Sequence, residues 1–123
     1  MYRIIALMIT VAAMLFTTPN HTSAVVVVEV SEPMPSTTCC PRTILVEAEA
    51  SCASTVRRDL VTELVRDGRV VMRWSRKGRC TISTSRTVGC PGSGYYQVVS
   101  YLKNPQRSQI YGSDASRRRY IYC

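Results

Sequence analysis

Apolar and polar residues alternate one by one along 43–50 (TILVEAEA), with Ile44, Val46, Ala48 and Ala50 on one side and Leu45, Glu47 and Glu49 on the other. A period of two is that of a strand half buried on one face. The period then lengthens. Over 53–67 the apolar residues Val56, Leu60, Val61, Leu64 and Val65 recur at helical spacing, Ser51 or Ser54 is placed to cap the start, and Gly68 stands where a helix ends. That spacing predicts a helix. Period two returns at 69–74 (RVVMRW), where Val70, Met72 and Trp74 share a side, and 80–88 (CTISTSRTV) is rich in β-branched residues. The polar stretch 75–79 (SRKGR) between them predicts a hairpin. A second helix is predicted over 94–103, capped by Ser93, with Tyr95, Val98, Val99 and Leu102 as its buried stripe and Asn104-Pro105 as its stop. The segment 117–123 (RRRYIYC) predicts a last strand.

The predicted order is βαββαβ. Four strands with both helices on one face bury these stripes, so the expected fold class is α+β: a ferredoxin-like sandwich with a four-stranded antiparallel sheet. Two segments precede it. Residues 1–24 have a short positive start, the apolar run from Ile4 to Phe16, and the small residues Thr22-Ser23-Ala24 before a cleavage point, which predicts a secretory signal peptide. The run is too short to span a bilayer, so no transmembrane segment is expected. Residues 25–38 (VVVVEVSEPMPSTT, with Pro33 and Pro35) predict an N-terminal arm whose valines are able to add an edge strand. The stabilised domain is then 39–123.

Composition narrows the chemistry. Removal of 1–24 takes away His21, the only histidine, so Ser-His-Asp, Cys-His and His-based ribonuclease sites are excluded from the mature chain. The six cysteines, Cys39, Cys40, Cys52, Cys80, Cys90 and Cys123, enter an oxidising route, and three disulfides are expected. No C-x-x-C spacing occurs, so the expectation is no metal and no cofactor. In the βαββαβ sheet the ends of the strands bring Cys52 to Cys80, while Cys39 and Cys40 divide Cys90 and Cys123 between them, because bonded cysteines need Cα atoms within about 7 Å.

Charge is unevenly spread. Residues 25–67 hold four Arg and seven acidic residues, net −3, whereas 68–123 hold eleven basic residues and only Asp114, net +10. A polarised surface follows. Two basic groups stand out as candidates for binding an anion or a partner: Arg73, Arg76, Lys77 and Arg79 around the predicted hairpin, and Arg117, Arg118 and Arg119 before the last strand. Arg predominates among them, and its fork matches carboxylate or phosphate. The expected first and third strands carry no aromatic residue, so specific nucleic-acid reading is not expected. Glu47 and Glu49 share a strand face, the spacing of a small hydrolase pair, but surface ion pairing is the stronger reading and no enzyme is expected. Trp74, beside Val70 and Met72, is expected in the core.

A leader, a short arm and a body carrying Cys39, Cys40, Cys52, Cys80, Cys90 and Cys123 resemble the small secreted cysteine-rich effectors of plant-pathogenic fungi, in particular the killer-toxin-like α/β sandwiches and the six-cysteine secreted-in-xylem type. The resemblance implies a non-enzymatic virulence protein in the host apoplast or inside host cells after uptake, whose partner is a host protein or a second effector. The alternative is a cationic antimicrobial or killer toxin acting on an anionic membrane surface. Adjacent cysteines also begin chemokines, but Cys52 comes too early for that pattern.

Overall fold

The computed structural model describes residues 26–38, 41–53, 55–79 and 81–123. They form strands throughout: β1 Val26–Val30, β2 Met34–Pro35, β3 Thr43–Cys52, β4 Arg58–Arg66, β5 Arg69–Gly78, β6 Ile82–Gly89, β7 Gly94–Lys103, β8 Ile110–Ala115 and β9 Arg119–Ile121. Among the described residues there is no helix, which overturns the α+β ferredoxin-like expectation. Both segments expected to be helical, 53–67 and 94–103, supply the two central strands β4 and β7.

The reason lies in what covers them. β4 pairs with β5 on one side and β7 on the other. Leu60, Thr62 and Leu64 are fully buried on its inner face, and Asp59, Val61 and Glu63 are buried on its outer face as well. A strand covered on both faces mixes apolar and polar residues on each, here Val61 between Asp59 and Glu63 outside and Thr62 between Leu60 and Leu64 inside, so the period of two is blurred. The Asp67-Gly68 pair that resembles a helix stop is a hairpin turn. Asp67 has φ 51° and Gly68 φ 82°, both left-handed, as a type I′ turn between twisted strands requires.

Two antiparallel sheets result. In the first, β1 and β2 lie along one edge of β3, from Val26 opposite Cys52 to Met34 opposite Leu45, and β6 lies along the other. The segment expected as an arm is thus bound edge to edge with the body. In the second sheet the order is β5-β4-β7, and β8 and β9 share the far edge of β7. The chain changes sheets between β3 and β4, between β5 and β6, and between β6 and β7. The expected hairpin of 69–74 with 80–88 therefore does not form, because β5 pairs with β4 and β6 with β3. At that change of sheet a Cβ on Gly78 would sit 2.7 Å from Ile82 Cγ1, so the close approach needs glycine.

This Greek key, with β1-β3-β6 facing β5-β4-β7-β8, has the strand order of an immunoglobulin-type sandwich, in which an ABE sheet packs on a C′CFG sheet. Tyr96, at the start of β7, donates its hydroxyl to the carbonyl of Gly92 four residues upstream, the corner that such sandwiches place at the entry to this strand. Two residues further on, where immunoglobulin domains carry the second cysteine of an inter-sheet bridge, stands buried Val98. The layers are held instead by Ile44, Val46, Leu64, Trp74, Val88, Tyr96, Val98 and Ile121 at one end, and by Val28, Ala48, Ala50, Leu60, Ile82 and Leu102 at the other. Within this interior Thr62 and Ser100 satisfy one another at 3.0 Å, and Ser100 Oγ also reaches the carbonyl of Val61 at 2.9 Å.

Cys90, just after β6, is bonded to Cys123, just after β9, with Cα atoms 6.2 Å apart. That corrects the expectation that Cys39 and Cys40 would take Cys90 and Cys123 as partners. The sandwich brings the end of β6 beside the end of β9 across the start of β7, a neighbourhood the four-stranded sheet did not contain. Cys52 is also disulfide-bonded. Its expected pairing with Cys80 involves a residue outside those described, as do Cys39, Cys40 and the predicted signal peptide 1–24.

Candidate binding surface

Among the described residues β5 is the edge strand of the second sheet, ten residues long and paired with β4 alone. Its outer backbone edge is open. Along it Arg69, Arg73, Ser75, Arg76 and Lys77 are exposed, and so are Val70 at 45%, Val71 and Met72. Of these, Arg69 and Val71 were not singled out from sequence, and Val70 and Met72 were expected to share the buried side of Trp74. Trp74 is the exception on this strand. It points inward, donates Nε1–H to Thr84 Oγ1 at 3.1 Å, and carries the Arg86 guanidinium 4.7 Å over its ring. It thus links β5 of the second sheet to β6 of the first.

The first predicted basic group divides. Arg73 Nε donates to Glu63 Oε2 at 2.7 Å. This hydrogen bond and the adjacent charge raise the already high pKa of the guanidinium, so Arg73 is occupied within the molecule. Arg79 Nη1 reaches the carbonyl of Thr55 at 3.4 Å. Arg76 and Lys77 remain exposed on the edge strand.

The second basic group lies on the other side of the same sheet, between β8 and β9. Three strand spacings, roughly 14 Å, separate it from β5. Arg118 stacks 5.2 Å from the Tyr95 ring centroid, Tyr95 meets Tyr120 edge to face at 5.1 Å, and Arg119 is half buried with Nη1 against Met34 Sδ at 3.6 Å. Arg117 is exposed. The two groups share a sheet without forming one continuous patch.

Of the acidic half of the sequence, Glu29, Glu47 and Glu49 lie in the opposite layer, whereas Asp59 and Glu63 lie on β4 of the same sheet. Glu29 stands directly across from Glu49, Glu47 accepts from Ser85 Oγ at 3.3 Å, and together with Ser83 and Arg76 they border an open depression of ≈ 500 Å³. Glu47 and Glu49 do share a face, as their spacing predicts. Glu29 opposite Glu49 sets like charges against one another there. Among the described residues the ion pairs within 4.0 Å are Arg73 with Glu63 and Arg66 with Asp67, so Glu47 and Glu49 are not the salt-bridge partners expected. No described helix is long and apolar enough to cross a membrane.

Two phenols respond to their surroundings. Burial pushes the Tyr96 hydroxyl above its ordinary value, with Arg66 opposing and Asp67 adding to the rise. Burial likewise raises Tyr101, and the Glu63 carboxylate, which its hydroxyl meets at 3.4 Å, raises it further. A raised folded-state pKa means that the unfolded chain loses the proton first. The contribution is therefore complete below the unfolded tyrosine pKa of about 10 and is lost as pH climbs through the folded value. Urea midpoints should hold level to about pH 9.5 and fall above about pH 10, with a smaller fall in Tyr101→Phe. Equal midpoints at pH 8 and pH 11 would contradict this assignment.

The chain has no match among protein-family models, curated proteins or solved structures. The resemblance to killer-toxin-like sandwiches loses its architectural half, since those are α/β and this chain is built of strands. Its cysteine pattern is what remains of it among the described residues.

Proposed function

We propose that the chain is a secreted, non-enzymatic interaction module of the effector or toxin-like type, which binds an acidic partner protein along the basic edge of its second sheet. The observation that carries this reading is β5. An open ten-residue edge offers main-chain hydrogen bonds to an incoming strand, its exposed Val70, Val71 and Met72 offer apolar contact, and Arg69, Arg76 and Lys77 select for negative charge. A second copy of β5 is a poor occupant, because pairing two such strands sets basic residues against basic residues. A host protein or a second effector with an acidic strand meets both requirements.

The test is co-purification from the host interface with wild type, with Arg69→Glu/Arg76→Glu/Lys77→Glu, and with Arg117→Glu/Arg118→Glu/Arg119→Glu. The β5 variant should bind its partner about tenfold or more weakly, given about 0.2–1 kcal/mol per exposed charge pair plus new repulsion, while the second variant changes affinity less. If reversal on β5 left partner binding unchanged, the reading would be wrong. Leakage of anionic vesicles that survives 0.5 M salt would favour the membrane-active alternative, since adhesion by charge alone is screened there.

A further inference from the structure

At the end of the second sheet that carries the Cys90–Cys123 bridge, three tyrosines stand in the open. Tyr95 of β7 is 49% exposed, Tyr120 of β9 54% and Tyr122 71%. Tyr95 and Tyr120 are register partners, so both leave the same face of the sheet, the one opposite buried Tyr96 and Ile121. Exposed rings grouped in this way mark a contact surface rather than a scattered exception.

The rings are held before any ligand arrives. Tyr95 donates its backbone N–H to Asp67 Oδ1 at 2.9 Å and meets the Tyr120 ring edge to face at 5.1 Å. Tyr122 is flanked by almost fully buried Ile121 and by Cys123, whose N–H donates to Ser93 Oγ at 2.9 Å and whose sulfur is bonded to Cys90. Groups fixed in advance lose little freedom on binding.

The charge around them is positive and uncommitted. The Arg118 guanidinium stacks 5.2 Å from the Tyr95 ring centroid, which uses a plane of the group and none of its N–H donors. Among the described residues no carboxylate pairs with Arg117 or Arg118, and Arg119 Nη1 meets Met34 Sδ. Asp67 is the acid bordering the shallow depression beside Arg118, and it is already occupied by the Tyr95 N–H and by Arg66 at 3.9 Å.

We infer that this end of the sheet binds single-stranded nucleic acid without reading its sequence. Bases stack on the exposed tyrosine rings, and Arg117 and Arg118 take the phosphates. Such stacking accepts any base, because each has a π-face, whereas a duplex keeps those faces covered. The site lies across the sheet from the β5 edge and stands without it.

Labelled oligo(dT) and oligo(dA) dodecamers, a labelled duplex of the same length and labelled heparin test it by fluorescence anisotropy. Both single strands should bind below millimolar concentration and within about fivefold of one another, and the duplex about tenfold more weakly. The logarithm of affinity should fall with that of salt concentration, and Arg117→Gln/Arg118→Gln should flatten the slope by about 1.4, the share of two phosphates on a single strand. Tyr120→Ala and Tyr122→Ala should each weaken binding about fivefold or more, whereas Tyr120→Phe keeps the ring and should bind as wild type does. Arg69→Gln/Arg76→Gln should leave affinity within about twofold at about 0.15 M salt, because β5 lies beyond the screening length. No binding at millimolar protein, duplex binding as tight as that of the single strands, full affinity in both alanine variants, or an equal loss in the β5 variant would each overturn the inference. So would alanine variants that lose heparin but keep the oligonucleotides, since the occupant would then be a sulfated glycan.

Discussion

Tyr96→Ala should lower the stability of the folded chain by about 3–5 kcal/mol, the range for deleting a buried aromatic ring. The ring is fully buried among Ile44, Val46, Leu64, Trp74, Val98 and Ile121, so it joins both sheets, and its hydroxyl closes the turn at Gly92. Against a typical total of about 5–15 kcal/mol, a loss of this size leaves a large unfolded population at 37 °C. Tyr96→Phe separates the two contributions. It keeps the ring and removes one hydrogen bond, which should cost about 1–2 kcal/mol. Urea denaturation of the three proteins measures both. An alanine variant within 1 kcal/mol of wild type would mean that the sheets are held together elsewhere.

Loss of the Cys90–Cys123 bond should be nearly as damaging. The bond closes a separation of 33 residues, and loop-closure entropy for that length is worth about 3–4 kcal/mol. Cys90→Ser/Cys123→Ser removes it without leaving a reactive thiol. Ile121 of β9 is almost wholly buried and β9 pairs with β7 over only three residues, so hydrogen exchange in the double variant should rise first at 119–121. Non-reduced peptide mapping of the native protein should yield one linked peptide containing Cys90 and Cys123. A link from Cys39 or Cys40 to either would contradict this arrangement.

Half of the architecture was legible in the hydrophobic pattern, and the half that was not has a common cause. β3 and β6 lie in a sheet whose outer face meets solvent, and β3 shows clean alternation: Ile44, Val46, Ala48 and Ala50 are buried while Glu47 and Glu49 are exposed. β5 is likewise a recognisable strand. β4 and β7 are internal to the other sheet, with Val61, Glu63 and Val99 covered from the outer side, so their apolar residues fall at intervals that imitate a helix. Two signals pointed the other way. Val61, Thr62, Val65, Val98 and Val99 are β-branched, and Asp-Gly between apolar runs is the strongest short-range sign of a hairpin. Taking Gly68 as a helix stop discarded the second of them.

The binding residues were legible only as charge. Arg76 and Lys77 stand out in the sequence because they belong to a basic run. Nothing in that run tells that Arg73 is taken up by Glu63, or that Arg69 and three apolar neighbours line an open edge.

The direction of the strands sets how this protein is best attached to a sensor or bead. β7 runs ten residues from the Gly92 and Cys123 end to Asn104, a span of about 30 Å. β1 begins opposite Cys52, at the Asn104 end. A tether placed after Cys123 therefore anchors one pole and leaves the Asn104 end facing solution, whereas a tag joined just ahead of Val26 stands at that end and crowds it.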